Sequence, residues 1–308
     1  MAFGFNRRIR EKGKKGEELV RMRVRWRVVI IFLIIAVFFS DLNIKTTGMT
    51  KENEKEEKLK ILVSIPPYAY LVEQVGKDRV EVKVMVPANA DPHTYDPTPN
   101  QLKMISESQL FILVGSGIDF EMNWSEKIKK LNPKMRWYDS STGIAILENN
   151  PHIWLSLRNT QKIVENITAS LIQIDPLYQD FYQQNAKYFK EKLIYLDEQL
   201  IHQLKSLKER KFLTYHPSWV YLARDYQLEQ LTIEQEGKEP HPTALMELIN
   251  KAKKYQLSFI LGAPQFNLKS AEVIAREVGA QIVIINPLER NYLENFTRIA
   301  DLLSGKGL

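Results

Sequence analysis

"DPLYQDFYQQNAKYFKEKLIYLDEQLIHQLKSLKER", Asp175 to Arg210, contains no glycine, and its only proline is the second residue. Asp175 is placed as a cap and Pro176 as the first helical residue, where a missing N–H costs nothing. Leu177, Phe181, Phe189, Leu193, Leu196, Leu200, Leu204 and Leu207 recur at helical spacing and form one apolar stripe. The spacing predicts a single helix over 175–210, about 50 Å long at 1.5 Å per residue. A helix of that length acts as a rigid strut, and the sequence on its two sides then forms separate lobes.

Before the strut, "ILVSI" (61–65), "VEVKVMV" (80–86) and "LFILVG" (110–115) read as strands. "PTPNQLKMISES" opens a helix with Thr98 as N-cap, Pro99 at its first position and Gln101 closing a capping box. After the strut, "KFLTYH" (211–216), "LEQLTIE" (228–234), "LSFILG" (257–262) and "AQIVIIN" (280–286) are strands separated by helical stretches. Strands alternating with helices imply α/β lobes, each a mostly parallel sheet flanked by helices. The expected organisation is an N-terminal lobe over 60–174, the linking helix over 175–210 and a C-terminal lobe over 211–308. In such a fold a ligand sits outside the carboxyl ends of the strands, in the cleft beside the strut.

The chain has 308 residues and a net charge of +6, unevenly distributed. Residues 1–27 hold ten Lys/Arg against three Glu, which is +7, so the remaining residues sum to about −1. Nucleic-acid binding would need a basic surface on the folded lobes, and their near-neutral charge argues against it. The basic start runs into "VVIIFLIIAVFF", twelve apolar residues over 28–39. Twelve is short for a hydrocarbon core of about 30 Å and matches the apolar core of an export signal. The positive-inside rule puts the basic end in the cytoplasm and all that follows outside it. Phe38, Phe39 and Ser40 make a poor cleavage site and Thr46 with Gly48 a passable one, so the segment is either an export signal or a retained anchor. Residues 40–59 read as a solvated linker. The chain has no cysteine, which excludes a lipid-modified cysteine, disulfides and thiolate metal ligands.

Four of the five histidines adjoin a proline: His93 in "DPHTYDP", His152 in "NPHIWLS", His216 in "TYHPSW" and His241 in "KEPHPT". Proline restricts φ and removes a donor, so these rings project from loops with little backbone freedom. His202 lies inside the strut and reads as a helix-surface residue. Taken singly, each loop histidine could be satisfied by a nearby carbonyl. Together, His93 and His216 end strands in different lobes and His152 precedes a helix, so all three can face one cleft. Their spacings of 59 and 64 residues form no local metal motif. Tyr68, Tyr95, Trp124, Trp154 and Trp219 read as core packing, and "VGSG" (114–117) as a strand-ending turn without the rest of a phosphate-loop or nucleophile-elbow pattern.

"DPHTYDPTPNQL", "GSGIDFEMNW", "NPHIWLS", the start of the strut, "YHPSWVYLARDY", "EGKEPHP" and "INPLERNYLENF" together resemble the cluster A-I metal-binding proteins of ABC transporters, the ZnuA and TroA family. The resemblance covers about residues 60–304, with the motifs in order. It implies an extracytoplasmic solute-binding protein that captures a divalent transition metal and delivers it to an ABC permease. It also implies metal ligands at His93, His152 and His216, with Asn286 at the position where the family carries an aspartate. An asparagine oxygen is a weak neutral ligand, so Asn286 is expected either as the fourth ligand or as a group that hydrogen-bonds to one. Glu239 and Glu289 are accessory candidates, as is His241 where the family has a serine. Three neutral imidazoles suit Zn²⁺, and Mn²⁺, which prefers carboxylate oxygens, is the alternative. Iron is a further alternative within the family.

The expected activity is binding, not catalysis, by a monomer with no nucleic-acid partner. A metallohydrolase would need a general acid or base that the sequence does not supply. A surface adhesin stapled by its metal is the remaining class. Imidazole binds metal only when neutral, so affinity is expected to fall as pH drops through about 6.

Overall fold

The computed structural model describes residues 57–234 and 237–306. The expected basic start, the apolar run of 28–39 and nearly all of the 40–59 linker lie outside the described residues. Among those described, no helix is long and apolar enough to cross a membrane.

The first lobe comprises β1 (Leu59–Val63), α1 (Pro66–Gly76), β2 (Val80–Val84), α2 (Pro99–Glu107), β3 (Leu110–Leu113), α3 (Asp119–Leu131), β4 (Arg136–Asp139) and α4 (Leu157–Ile174). After α5 (Gln179–Leu204) the second lobe comprises β5 (Lys211–Thr214), α6 (Val220–Asp225), β6 (Glu229–Thr232), α7 (Pro242–Lys254), β7 (Phe259–Gly262), α8 (Lys269–Val278), β8 (Gln281–Ile284) and α9 (Tyr292–Leu303). The sheets run in the orders β2-β1-β3-β4 and β6-β5-β7-β8, with every pairing parallel. The two lobes thus repeat one topology. In each sheet the order reverses between the first and third strands, at the point where open parallel sheets place their ligands.

Thr98 caps α2 in a capping box with Gln101, as the sequence predicts. The strand Arg136–Asp139 is absent from the sequence reading. It is four residues long, lies at a sheet edge and exposes both its terminal residues, Arg136 and Asp139, so no apolar run marks it. The other strands end two residues earlier than read, except β7, which ends at Gly262 as read and begins two residues later. The apolar pattern continues because residues beyond the ends, such as Met85 and Val86, stay buried and bond to the neighbouring strand.

The linking helix is shorter than 175–210. Asp175 caps nothing, because its carboxylate accepts from Arg79 at 3.1 Å and from the Tyr182 hydroxyl at 2.7 Å. One 3-10 turn (Pro176–Tyr178) follows, and α5 spans 26 residues, about 39 Å. It stops at Leu204, whose carbonyl accepts from Arg210 at 3.3 Å while the same guanidinium reaches the Tyr226 and Gln227 carbonyls. The buried stripe is Tyr182, Ala186, Phe189, Leu193, Leu200 and Leu204, and Leu177 is 92% exposed. This stripe joins the main core, which runs from Ile61 and Phe111 of the first sheet through α4 and α5 to Tyr221 and Phe296 of the second lobe. A smaller core around Leu213, Ile260 and Ile274 fills the rest of the second lobe.

Candidate metal centre

Three loops at the carboxyl ends of strands carry the histidines. The loop between β2 and α2 holds His93, whose N–H donates to Asp91 Oδ1 at 3.0 Å. His152 sits between β4 and α4, and its N–H donates to Asn150 Oδ1 at 3.1 Å. His216 follows β5 directly, and its carbonyl accepts from the Thr214 hydroxyl at 2.9 Å. Each ring is therefore aimed by a turn that a neighbouring polar side chain closes. The ring centroids lie 5.1 to 6.5 Å apart, and one ligand atom from each ring falls within 4.8 Å of the other two. His152 and His216 are buried, and His93 is about one-third exposed.

Each imidazole has an oxygen behind it. His93 Nδ1 lies 2.5 Å from Asp119 Oδ2, His152 Nδ1 lies 2.9 Å from Asn150 Oδ1, and His216 Nδ1 lies 2.9 Å from Glu234 Oε2. A carboxylate only accepts, so Nδ1 is the donor on His93 and His216. Asn150 is oriented by its Nδ2, which donates to the Pro217 carbonyl at 2.8 Å, so His152 Nδ1 donates as well. All three Nε2 lone pairs are then left for the centre, an arrangement that fixes the tautomer and raises ligand basicity. Burial, followed by the charges of His216 and His93, holds His152 well below the ordinary imidazole pKa, so it stays in the neutral form that binds metal.

The rings border a small cavity of about 20 Å³, room for one water-sized sphere, and a larger vestibule of about 500 Å³. The wall of the small cavity is largely apolar, with Ile118, Trp154 and Leu288, and Phe266 stacks on His216 at 4.7 Å. Gln265 adds an amide to that wall.

The other residues singled out by sequence stand apart from the triad. Asn286 directs its Oδ1 to the Leu288 N–H (2.9 Å) and to Gln265 Nε2 (2.7 Å), and its Nδ2 to the Ala88 carbonyl (3.2 Å). Glu239 accepts from Tyr215 and Ser270, and Glu289 from the Asn291 N–H. His241 is exposed at the N-cap position of α7 with no capping bond, and His202 is exposed on α5. Sequence reasoning missed Asp119, Asn150, Glu234 and Gln265. Asn150 stands two residues before His152 and was legible as a turn former. Asp119 and Glu234 lie 26 and 18 residues from their histidines, so only the fold brings them together.

Two parallel α/β lobes joined by one long helix, with histidines from both at the cleft, define the helical-backbone class of metal-binding solute-binding proteins. The family model "Zinc-uptake complex component A periplasmic" (ZnuA) matches residues 61–305, and the chain belongs to that family. The high-affinity zinc uptake system protein ZnuA of Bacillus subtilis (strain 168) is 27% identical over 283 residues, 85% of this chain and 87% of that protein. The zinc-binding lipoprotein AdcA of Streptococcus pneumoniae serotype 4 is 27% identical over 78% of this chain and 52% of its own length. A crystal structure of ZnuA superposes with a TM-score of 0.78 at 39% identity, covering 82% of this chain and all of that one.

Proposed function

We propose that this chain is an extracytoplasmic binding protein that captures Zn²⁺ between His93, His152 and His216 and delivers it to an ABC permease of the cytoplasmic membrane. The observation that carries the reading is the convergence of the three rings, each with its Nδ1 spent on an oxygen acceptor. Its membership of the zinc-uptake family supports the same conclusion.

Ligand chemistry supports zinc as the cargo. Three neutral imidazoles form a site for Zn²⁺, whereas Mn²⁺ favours carboxylate oxygens, and no carboxylate belongs to the triad among the described residues. Asp119 and Glu234 lie behind the rings, bonded to Nδ1, where they orient ligands and cannot relay protons to a metal-bound water. That favours binding over hydrolysis. The triad comes from one chain, which supports a monomer. The basic start and apolar run of residues 1–39 support export, by a signal or on a retained anchor. Zinc enters through the vestibule, loses its water shell in the small cavity, and leaves when docking on the permease weakens the site.

Competition of the metal-stripped full chain, in mild detergent, against a chromophoric chelator tests this with Zn²⁺, Mn²⁺ and the variant His93→Ala. Tight zinc binding, at least 100-fold preferred over manganese and lost in the variant, is the expected result. Preference for manganese, or zinc binding untouched by the substitution, would overturn it.

A further inference from the structure

Two side chains that line the small cavity each hold a buried atom without a hydrogen-bond partner, His216 Nε2 and Gln265 Oε1. The first is a ligand in the reading above. The second calls for an explanation of its own, because a buried amide oxygen left unpaired is costly.

A chain of bonds anchored on the backbone fixes which end of the Gln265 amide is which. The Leu288 N–H can only donate, and it donates to Asn286 at 2.9 Å, so that atom is Asn286 Oδ1. Asn286 Nδ2 then faces the Ala88 carbonyl at 3.2 Å. Gln265 sends one amide atom to Asn286 Oδ1 at 2.7 Å and to the Ala88 carbonyl at 2.5 Å. Both are acceptors, so that atom is Nε2, and Oε1 is the end left free. A flipped amide would press one oxygen against two others. The neighbour of Gln265, Phe266, stacks on the His216 ring, which ties this segment to the triad.

We propose that Gln265 Oε1 supplies the fourth contact to the captured metal and that Asn286 is the residue that positions it. The proposal rests on the three-histidine reading and extends it. It also accounts for the asparagine at 286. An aspartate there would set a second carboxylate oxygen against the Ala88 carbonyl, where Asn286 presents a donor. With the amide bound, all four donors are neutral, the site keeps the full +2 charge, and no water remains on the metal to ionise.

The full chain is loaded with Co²⁺ as a coloured stand-in for zinc and titrated with azide, a small anion that replaces metal-bound water. The expected native spectrum is that of a four-coordinate ion, unmoved by azide. In Gln265→Ala water fills the fourth place, azide shifts the visible bands, and zinc affinity in the chelator assay falls about 10- to 100-fold. Asn286→Ala, which only frees the amide to rotate, is expected to give a smaller loss in the same direction. Gln265→Leu, which keeps most of the bulk of the side chain without a donor atom, replaces the alanine variant if that variant fails to fold by circular dichroism. A native spectrum that already shifts with azide, or a Gln265 variant with native spectrum and affinity, would overturn the proposal. His93→Ala separates the two levels. If it abolishes cobalt binding while the native protein takes up azide, only the role of Gln265 falls. If it leaves cobalt bound, the histidine reading itself fails and this proposal with it.

Discussion

At the scale of single residues, the centre depends as much on the atoms behind the rings as on the rings. Glu234 is buried and bonds His216 Nδ1, and His216 has the one ring nitrogen that is buried without a partner among the described residues. Removing the carboxylate leaves the ring free to choose the other tautomer, which turns Nε2 from an acceptor into a donor. Glu234→Ala is therefore expected to weaken zinc about 10- to 100-fold, and Glu234→Gln, which keeps an acceptor, should recover most of the loss. Chelator competition at pH 7.5 measures both, and equal affinities for native and alanine forms would exclude the orienting role. Adjacent proline marked four histidines as loop residues, His241 among them, and only the resemblance of the surrounding motifs to the family set His93, His152 and His216 apart. Their acceptors were not legible, because a hydrogen bond between Asp119 and His93 has no signature until α3 and the β2–α2 loop are in place. Asn286, expected as a fourth ligand or as a group bonded to one, has its amide bonded to Leu288, Ala88 and Gln265, and those bonds direct attention one side chain further, to Gln265.

At the scale of elements, the long helix was readable from its 3.6-residue period and its ends were not. Asp175 and Pro176 form a sound helix start, yet Arg79 takes the carboxylate from across the lobe, and a tertiary bond of that kind is invisible to local pattern. The turn after β3 was legible as a turn. The structure adds the reason for its glycine: Gly115 has φ +78°, and a Cβ there would come within 1.8 Å of Asp139 Oδ1. The same turn rests on Glu121 of α3, whose carboxylate accepts from the Val114 N–H at 2.7 Å, the Gly115 N–H at 3.0 Å and the Ser64 hydroxyl. Burial pushes the Glu121 carboxyl up to about 7, against those donors. In the unfolded chain the group releases its proton near its ordinary value of 4.5. Between those two pH values the folded state holds the extra proton, so the stability contributed by Glu121 declines as pH rises from about 4.5 to about 7, on the order of 3 kcal/mol in all. Glu121→Gln does not titrate. The melting temperature of the metal-free native chain, relative to that variant, should drop by several degrees between pH 5 and pH 8. Parallel curves across that range would show that Glu121 is ionised throughout.

At the scale of the whole molecule, the two lobes are joined by more than the linking helix. Trp154 Nε1 donates to the Pro287 carbonyl at 2.9 Å, and the Tyr292 hydroxyl donates back to the Trp154 carbonyl at 2.6 Å. Asn150 reaches Pro217, Tyr221 reaches Asn150, and Ser156 bonds Asp225. These bonds sit on a continuous apolar core that α4, α5 and α9 share, so separating the lobes would expose buried surface of both. Sequence pattern divides such a chain correctly into two sheets. It cannot show that the sheets share a core, because the shared residues look like ordinary lobe interior. The physical consequence is one cooperative unit with a preformed site. Thermal unfolding of the metal-free chain should therefore show a single transition by calorimetry, with calorimetric and van't Hoff enthalpies in agreement. Zinc at 100 times its dissociation constant adds about 2.7 kcal/mol by mass action, so the melting temperature should rise by several degrees and return when a chelator strips the metal. The radius of gyration by small-angle scattering should change by less than about 1 Å on loading, because the lobes share one core and the three ligand atoms already lie within 4.8 Å of one another. Two resolved transitions, or a contraction of several ångströms with zinc, would mean that the lobes move as independent bodies and that the triad assembles only on closure.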